Sequence, residues 1–218
     1  MVSFEEPLTA KGTEMDVSCL QHRLTDAERR EFDETGLLTI EDALSPEQVR
    51  SLTEKTDRIY GQKIAQGHAP TAALFYPNFI CDDPQFLELV DYGKILPKVW
   101  GILGWNIYLY HAHLIVTPPT GQAKDDKTFG WHQDSGDVNK NIETSPRPRL
   151  SLKVAYFLSD VSEPDRGNFW VIPNSQLSDE MSMPEDRIGQ PGGAQPVLVK
   201  PGTAVFFDRR LWHTATPN

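Results

Sequence analysis

The residues with the clearest chemical potential are His132 and Asp134, in the run Phe129-Gly130-Trp131-His132-Gln133-Asp134. In an extended segment, alternate side chains point to the same face, so these two lie side by side. An imidazole and a carboxylate are two of the three protein ligands that hold a non-haem Fe(II) ion. A second histidine must come from elsewhere, and His213 is the candidate. Three ligands on one face of an octahedral metal leave three positions open, and chemistry with O₂ needs them.

The His-x-Asp triplet alone is a weak signal. A chain with 6 His and 31 acidic residues can contain such a triplet by chance. The competing interpretation is a surface strand whose histidine and aspartate are solvated. The elements that surround the triplet must therefore support a metal site.

The second half of the chain predicts short strands that would position these residues. They are rich in aromatic and β-branched residues and are separated by Pro, Gly and Asn. The predicted strands are 107–116, 129–134, 150–158, 168–173, 196–200 and 203–208. This pattern is typical of an antiparallel sandwich or barrel. Trp131 and Trp212 each precede a candidate ligand, and we expect their indoles to wall the site and exclude water.

The first half of the chain predicts mostly helices. Thr25 begins a helix with a capping box, and Gly36 ends it. A short strand follows at 37–40. Ser45, with Pro at the first helical position, begins a second helix that closes at Gly67. Another helix begins at 83–84, and Pro97 is predicted to break it.

The composition indicates one soluble, globular domain. The chain has 218 residues, of which 39% are hydrophobic and 24% charged. We expect a single domain over 1–218, with helical support in 1–105 and a β core in 106–218. The formal net charge of −10 argues against nucleic acid and anionic membrane surfaces as partners.

The sequence also predicts a cytoplasmic protein. The N-terminus is acidic and has no apolar region typical of a secretory signal. No apolar run is long enough to span a membrane. Cys19 and Cys81 have no metal-type spacing, so we expect reduced thiols.

Two long loops, 135–149 and 177–195, interrupt the predicted strands. Loops of this length in a compact barrel are lids or poorly ordered segments, and we expect a mobile lid over the barrel mouth. The first loop carries Lys140, Arg147 and Arg149. They are either solvated or receive an acidic group of a substrate.

Three segments together resemble a known family over roughly residues 24–218. They are the Trp-His-Gln-Asp-Ser-Gly run at 131–136, the Gly-Asn-Phe-Trp-Val-Ile-Pro-Asn-Ser run at 167–175 and the Trp-His pair at 212–213. Their order and spacing are similar to those of the phytanoyl-CoA dioxygenase (PhyH) family of Fe(II)/2-oxoglutarate oxygenases. The resemblance implies a mainly β fold with flanking helices, built on a double-stranded β-helix (jelly-roll, cupin-like) core.

The resemblance implies the site residues as well. It assigns His132, Asp134 and His213 as ligands of Fe(II), with 2-oxoglutarate as cosubstrate and O₂ as oxidant. It places His113 and Thr117 on the strand that faces the cosubstrate. Trp131, Lys153 and Trp170 complete the expected cofactor-binding residues, where Lys153 must face either the cavity or solvent and Trp170 would form part of the wall. At positions 113 and 117, relatives often carry Gln and Lys, so this chain departs from them there.

A second departure concerns the arginine that usually pairs with the far carboxylate of 2-oxoglutarate. In relatives it follows the distal histidine, but this sequence ends at Asn218. One hypothesis is that the natural polypeptide continues and that the β core is truncated here. The other is that Arg147, Arg149, Arg209 or Arg210 takes the role.

The predicted function is a non-haem Fe(II)/2-oxoglutarate-dependent dioxygenase. It would hydroxylate or oxidatively cyclise a small-molecule metabolite, for example in natural-product biosynthesis. Two alternatives remain open: a metal-binding β-barrel module without turnover, and a cupin-like metalloenzyme that does not use 2-oxoglutarate. The sequence identifies neither the substrate nor the oligomeric state.

Overall fold

The computed structural model of the chain describes residues 17–119, 130–180, 182 and 190–218. The helices in these ranges are α1 (Asp26–Thr35), α2 (Pro46–Ala65), α3 (Pro84–Leu87), α4 (Leu96–Leu103) and α5 (Gly136–Lys140). The strands are β1 (Leu37–Ile40), β2 (Leu74–Pro77), β3 (His113–Val116), β4 (Leu152–Tyr156), β5 (Phe169–Val171), β6 (Gln195–Pro196), β7 (Ala204–Asp208) and β8 (His213–Ala215). None of the described helices is both long enough and apolar enough for a membrane crossing.

The helix starts that the sequence predicts are confirmed. The Thr25 hydroxyl accepts a hydrogen bond from the Glu28 amide, and the Glu28 carboxylate accepts one from the Thr25 amide, which forms a capping box. Ser45 and Gln48 form the same box at the start of α2. Helix α1 ends at Gly36, whose φ of +76° favours glycine. A Cβ there would lie 2.6 Å from Oε1 of Gln176, so the position also needs a small residue.

The strands form three small antiparallel sheets, which confirms the antiparallel prediction. Their orders are β1-β7-β4, β2-β3 and β6-β5-β8. Strand β7 is buried on both faces, as its apolar sequence Ala-Val-Phe-Phe implies. Val205 and Phe207 on one face share a core with Val171 of β5, whereas Ala204 and Phe206 pack near Phe32 of α1. The sheet β1-β7-β4 is thus covered by helices on one side and by the sheet β6-β5-β8 on the other.

The β2-β3 sheet is supported by helix α2. Leu52 and Ile59 of α2 belong to the same buried cluster as Leu114 of β3. Leu52 and Ile59 lie seven residues apart on one face of the helix, which is the spacing of two helical turns. The helices of the first half therefore act as supports for the sheets.

Several predicted boundaries are wrong. Pro97 does not break a helix but lies in the first turn of α4, where the missing N–H costs nothing. The strand predicted at 107–116 is reduced to β3; Tyr108, in the part that is not strand, is 82% exposed. Segment 129–134 makes only an isolated bridge, at His132, and residue 129 lies outside the described ranges. Of the strand predicted at 196–200, only Pro196 lies in a strand, β6.

A buried ion network closes the end of β7. The Asp208 side chain is fully buried and accepts hydrogen bonds from Arg149 Nε (2.8 Å) and from Arg210 Nε (3.0 Å) and Nη2 (2.8 Å). Burial alone would raise the pKa of Asp208, but the hydrogen bonds from both arginines hold it below its ordinary value. Two cations therefore share this buried carboxylate, and Arg149 also pairs with Asp33 at 2.9 Å.

We predict that Asp208→Asn lowers the free energy of unfolding by about 3–5 kcal/mol, because it removes the buried carboxylate that partners Arg210 and one of the two carboxylates that partner Arg149. Urea unfolding at neutral pH measures this loss. Glu163→Gln is the matched control, because it also removes a carboxylate from an arginine but at an exposed i,i+3 pair with Arg166. It should leave the free energy nearly unchanged. An equally small effect at Asp208 would contradict the network.

Candidate metal centre

Backbone pairing brings the two candidate histidines together. The His132 amide donates to the His213 carbonyl, and the His213 amide donates to the His132 carbonyl, both at 3.0 Å. Two residues further, the Asp134 amide donates to the Arg209 carbonyl at 2.9 Å. The segment that carries His132 and Asp134 therefore runs antiparallel beside the segment that carries His213. Main-chain hydrogen bonds, and not the side chains themselves, set this arrangement.

The three side chains offer ligand atoms that all lie within 4.8 Å of one another. His213 Nε2 is 3.8 Å from Asp134 Oδ1. Each histidine also binds a carbonyl through Nδ1: His132 to Gly130 at 2.9 Å and His213 to Leu211 at 2.8 Å. A carbonyl oxygen only accepts, so both Nδ1 atoms carry the hydrogen and both Nε2 lone pairs are free. Metal-binding histidines show this arrangement, because the second hydrogen bond fixes the tautomer and the ring orientation.

The electrostatic environment keeps His213 neutral. It is buried, with 6% of its surface exposed. Burial, followed by the nearby His132, lowers the pKa of His213 to about 4, against the opposing effect of Asp134. A metal ligand must be unprotonated, so this imidazole is ready to bind a cation at neutral pH without first losing a proton.

Two residues outside the predicted site support Asp134. The Asn139 side-chain amide donates to the Asp134 carbonyl at 3.1 Å, and Asn139 Oδ1 accepts from the Arg209 guanidinium at 2.6 Å. Asn139 and Arg209 are both buried, with 6% and 1% exposed. No sequence pattern marks Asn139, which lies in a segment predicted to be a lid.

A second pair of imidazoles lies near the triad. The rings of His111 and His113 are 3.4 Å apart between centroids, and Phe75 lies 3.8 Å from His113. Burial, followed by the charge of His111, lowers the pKa of His113 to about 4. Asp134 and Lys153 also act on His113 electrostatically. The contact of His113 with the cosubstrate stays a prediction.

The other predicted cofactor-binding residues are placed differently. Lys153 lies in the middle of β4, with Nζ 3.8 Å from Asp134 Oδ2. Thr117 follows β3, and its carbonyl accepts a hydrogen bond from Asn218 at 3.1 Å. Trp131 is 2% exposed and shares an apolar cluster with Ile172, against which Trp170, Trp212 and Ala194 pack. The roles of these residues in cofactor binding stay predictions.

The four arginines considered for 2-oxoglutarate binding are all held within the protein. Their partners are Asp179 for Arg147, Asp33 and Asp208 for Arg149, Asn139 and the Pro148 carbonyl for Arg209, and Asp208 and the Arg147 carbonyl for Arg210. The same contacts attach residues 147–149, at the end of the first predicted lid, to Asp208 of β7 and to the turn that follows it. The mobility of this loop stays a prediction. The second predicted lid, 177–195, includes residues 181 and 183–189, which lie outside the described ranges.

Comparisons with known proteins agree with this geometry. A family model described as phytanoyl-CoA dioxygenase (PhyH) matches residues 32–218. No curated protein matches the sequence significantly. Many solved structures match, and three of them illustrate the likeness.

The first of the three is the non-haem α-ketoglutarate-dependent carbocyclase SnoK from nogalamycin biosynthesis (20% identity, TM-score 0.66, covering 89% of this chain and 78% of that chain). The second is HygX from Streptomyces hygroscopicus with nickel and 2-oxoglutarate bound (20% identity, TM-score 0.65, covering 88% of this chain and 80% of that chain). The third is EctD from S. alaskensis with bound Fe (20% identity, TM-score 0.65, covering 89% of this chain and 72% of that chain). At this identity the likeness establishes the fold.

We predict that His132→Ala, Asp134→Ala and His213→Ala each weaken the binding of Fe(II) or Co(II) by at least about a hundredfold, because each removes a ligand. Anaerobic calorimetric titration measures the affinity. His68→Ala is the matched control: His68 lies between α2 and β2, where its Nε2 contacts the Ala72 carbonyl at 3.1 Å. Equal metal affinity in the control and in the His213 variant would contradict the assignment.

The lowered pKa values also predict how the stability of the metal-free protein depends on pH. In the unfolded chain, His113 and His213 take up protons near pH 6.5, whereas in the folded protein they do so only near pH 4. The free energy of unfolding should therefore fall as the pH is lowered from about 6.5 to about 4. Urea unfolding across this range measures the slope. His113→Gln removes one of the two groups, so its slope should be shallower than that of the wild type; an unchanged slope would contradict the prediction.

Proposed function

The chain belongs to the phytanoyl-CoA dioxygenase (PhyH) family of Fe(II)- and 2-oxoglutarate-dependent oxygenases, and we propose that it hydroxylates or oxidatively cyclises a small-molecule metabolite. The observation that carries the proposal is the convergence of His132, Asp134 and His213. Their ligand atoms lie within 4.8 Å of one another, and both histidines have Nδ1 occupied by a carbonyl. This donor set fits Fe(II): two neutral imidazoles and one carboxylate on one face of the metal.

We propose further that the sheets β1-β7-β4 and β6-β5-β8 are the two faces of a double-stranded β-helix. Their shared core of Val171, Val205 and Phe207 supports this. His213 lies at the edge of that core, since its ring centroid is 5.1 Å from Phe207 and 5.4 Å from Phe169. The ligands would thus be held at the end of the sandwich, with apolar side chains below them.

The residues of the candidate site have separate tasks in this function. His132, Asp134 and His213 would hold the iron, and the carbonyls of Gly130 and Leu211 keep the two imidazoles in the binding tautomer. Asn139 and Arg209 fix the backbone at Asp134. Phe169 and Phe207 keep water from the inner side of the site, which limits unwanted oxidation.

Bound Fe(II), with 2-oxoglutarate and O₂, supplies the oxidation of an unactivated C–H bond. In a hydroxylation, one oxygen atom enters the product and the other enters succinate, while the carboxylate next to the keto group leaves as CO₂. In a cyclisation, two hydrogen atoms of the substrate leave in water. The protein contributes position, the tautomers and a dry surface.

The substrate class is proposed from the relatives. SnoK is a carbocyclase of nogalamycin biosynthesis, and HygX has been crystallised with hygromycin B. We therefore propose a natural-product scaffold of small molecular mass as the substrate. Screening such compounds for stimulated succinate release is the direct way to find it.

We predict that the protein, loaded anaerobically with Fe(II), converts 2-oxoglutarate to succinate when O₂ is admitted, even slowly without substrate. Succinate measured by NMR or mass spectrometry reports this conversion. His213→Ala should release at least about a hundredfold less, because the metal is lost, whereas the control His68→Ala should match the wild type.

The alternatives give different results in the same assay. A metal-binding module would bind Co(II) tightly at the triad but release no succinate with any compound tested. A metalloenzyme that does not use 2-oxoglutarate would consume O₂ at a rate independent of that keto acid. Either result would contradict the proposed function.

A further inference from the structure

Lys153 directs a cation towards the metal centre. It lies in the middle of β4, in register with Phe207 of β7, whose ring is 5.1 Å from that of His213. Its side chain is 23% exposed. The ammonium is 3.8 Å from Asp134 Oδ2 and 5.3 Å from the centre of the Tyr110 ring. The lysine therefore stands beside a ligand of the metal, on a rigid strand.

The ammonium is only loosely engaged there. A hydrogen bond from an ammonium to a carboxylate is about 2.7–2.9 Å long, and the distance to Asp134 exceeds this by nearly 1 Å. By contrast, Lys98 lies 2.7 Å from Glu28. The Asp134 carboxylate is also the one that would bind iron. The three N–H donors of Lys153 are thus available to an incoming anion.

The described arginines near the site are committed elsewhere. The arginines at 147, 149, 209 and 210 are held by carboxylates, carbonyls and the Asn139 amide, as described above. The formal net charge of −10 makes the protein as a whole repel a dianion. A keto acid with two carboxylates therefore needs a local positive charge, and within the described ranges Lys153 is placed to supply it.

We propose that Lys153 is the cosubstrate anchor: its ammonium binds the carboxylate of 2-oxoglutarate that lies far from the keto group. This inference rests on the proposed function, because it assumes that the keto acid binds at the triad. Lys153 acts in binding and not in the oxidation itself. The competing role is to neutralise Asp134, in which case the lysine affects the metal and not the keto acid.

A pair of ligands separates these roles. 2-Oxopentanoate has the same carbon chain as 2-oxoglutarate but lacks the far carboxylate. We expect the wild-type protein, loaded with Zn(II) to prevent turnover, to bind 2-oxoglutarate about ten- to a hundredfold more tightly than 2-oxopentanoate, as a charge-assisted contact provides. In Lys153→Met this preference should fall to less than about threefold, whereas Lys153→Arg should retain most of it. Calorimetry measures each affinity.

The control is Lys63→Met. Lys63 also lies over a tyrosine ring, 4.2 Å from the centre of Tyr76, but it belongs to α2. It should leave the preference and the Zn(II) affinity unchanged. Lys153→Gln provides a second test if the methionine variant does not fold, and circular dichroism verifies folding.

Three results would overturn the proposal. If the wild-type preference persists in a folded Lys153→Met or Lys153→Gln protein, the far carboxylate has another partner. If these variants lose Zn(II) affinity but keep the preference, the lysine neutralises Asp134. If the wild-type protein binds neither keto acid, the proposed function fails together with the anchor. This result differs from the first two, in which the wild-type protein binds 2-oxoglutarate and only the role of Lys153 fails.

Discussion

The candidate site depends on one backbone interaction: the reciprocal pair of hydrogen bonds between His132 and His213. Two segments far apart in the chain are brought into antiparallel contact by main-chain groups that any residue possesses. Side-chain alternation then places His132 and Asp134 on one face. The next bond, from the Asp134 amide to the Arg209 carbonyl, fixes the third donor. The ligand geometry therefore depends on the register of these segments and not on attraction between the ligands, which include two imidazoles.

The surrounding charges stabilise that register. Asp208 ends β7 and binds Arg149 and Arg210, so it attaches the loop before β4 to the turn before His213. In that same turn, Arg209 extends to Asn139, which in turn holds the backbone of Asp134. A chain of buried polar contacts thus connects the end of β7 with both ligand segments. Such contacts are costly to break, because each partner that remains is buried without compensation.

The sequence predicts the parts of this molecule that local rules determine. Capping boxes locate α1 and α2, and His-x-Asp in an extended segment puts two donors on one face. Strand lengths are less predictable: residues 107–112 have strand-forming side chains, but Tyr108 is exposed and β3 begins only at His113. The break predicted at Pro97 is wrong, since proline can begin a helix as well as end one. Asn139 could not be found at all, because its importance comes from tertiary contacts that no local pattern encodes.

The tryptophan cluster has a practical consequence. Trp131 and Trp212 each precede a candidate ligand, and alternation directs them to the face opposite His132 and His213, where they pack with Trp170. The expectation that their indoles wall the metal site is therefore wrong. Any displacement of either backbone segment during loading of the site is thus transmitted to a group of adjoining indoles. Three of the five tryptophans of the chain belong to this group. We therefore expect tryptophan emission to change when the metal site is loaded, without an added label.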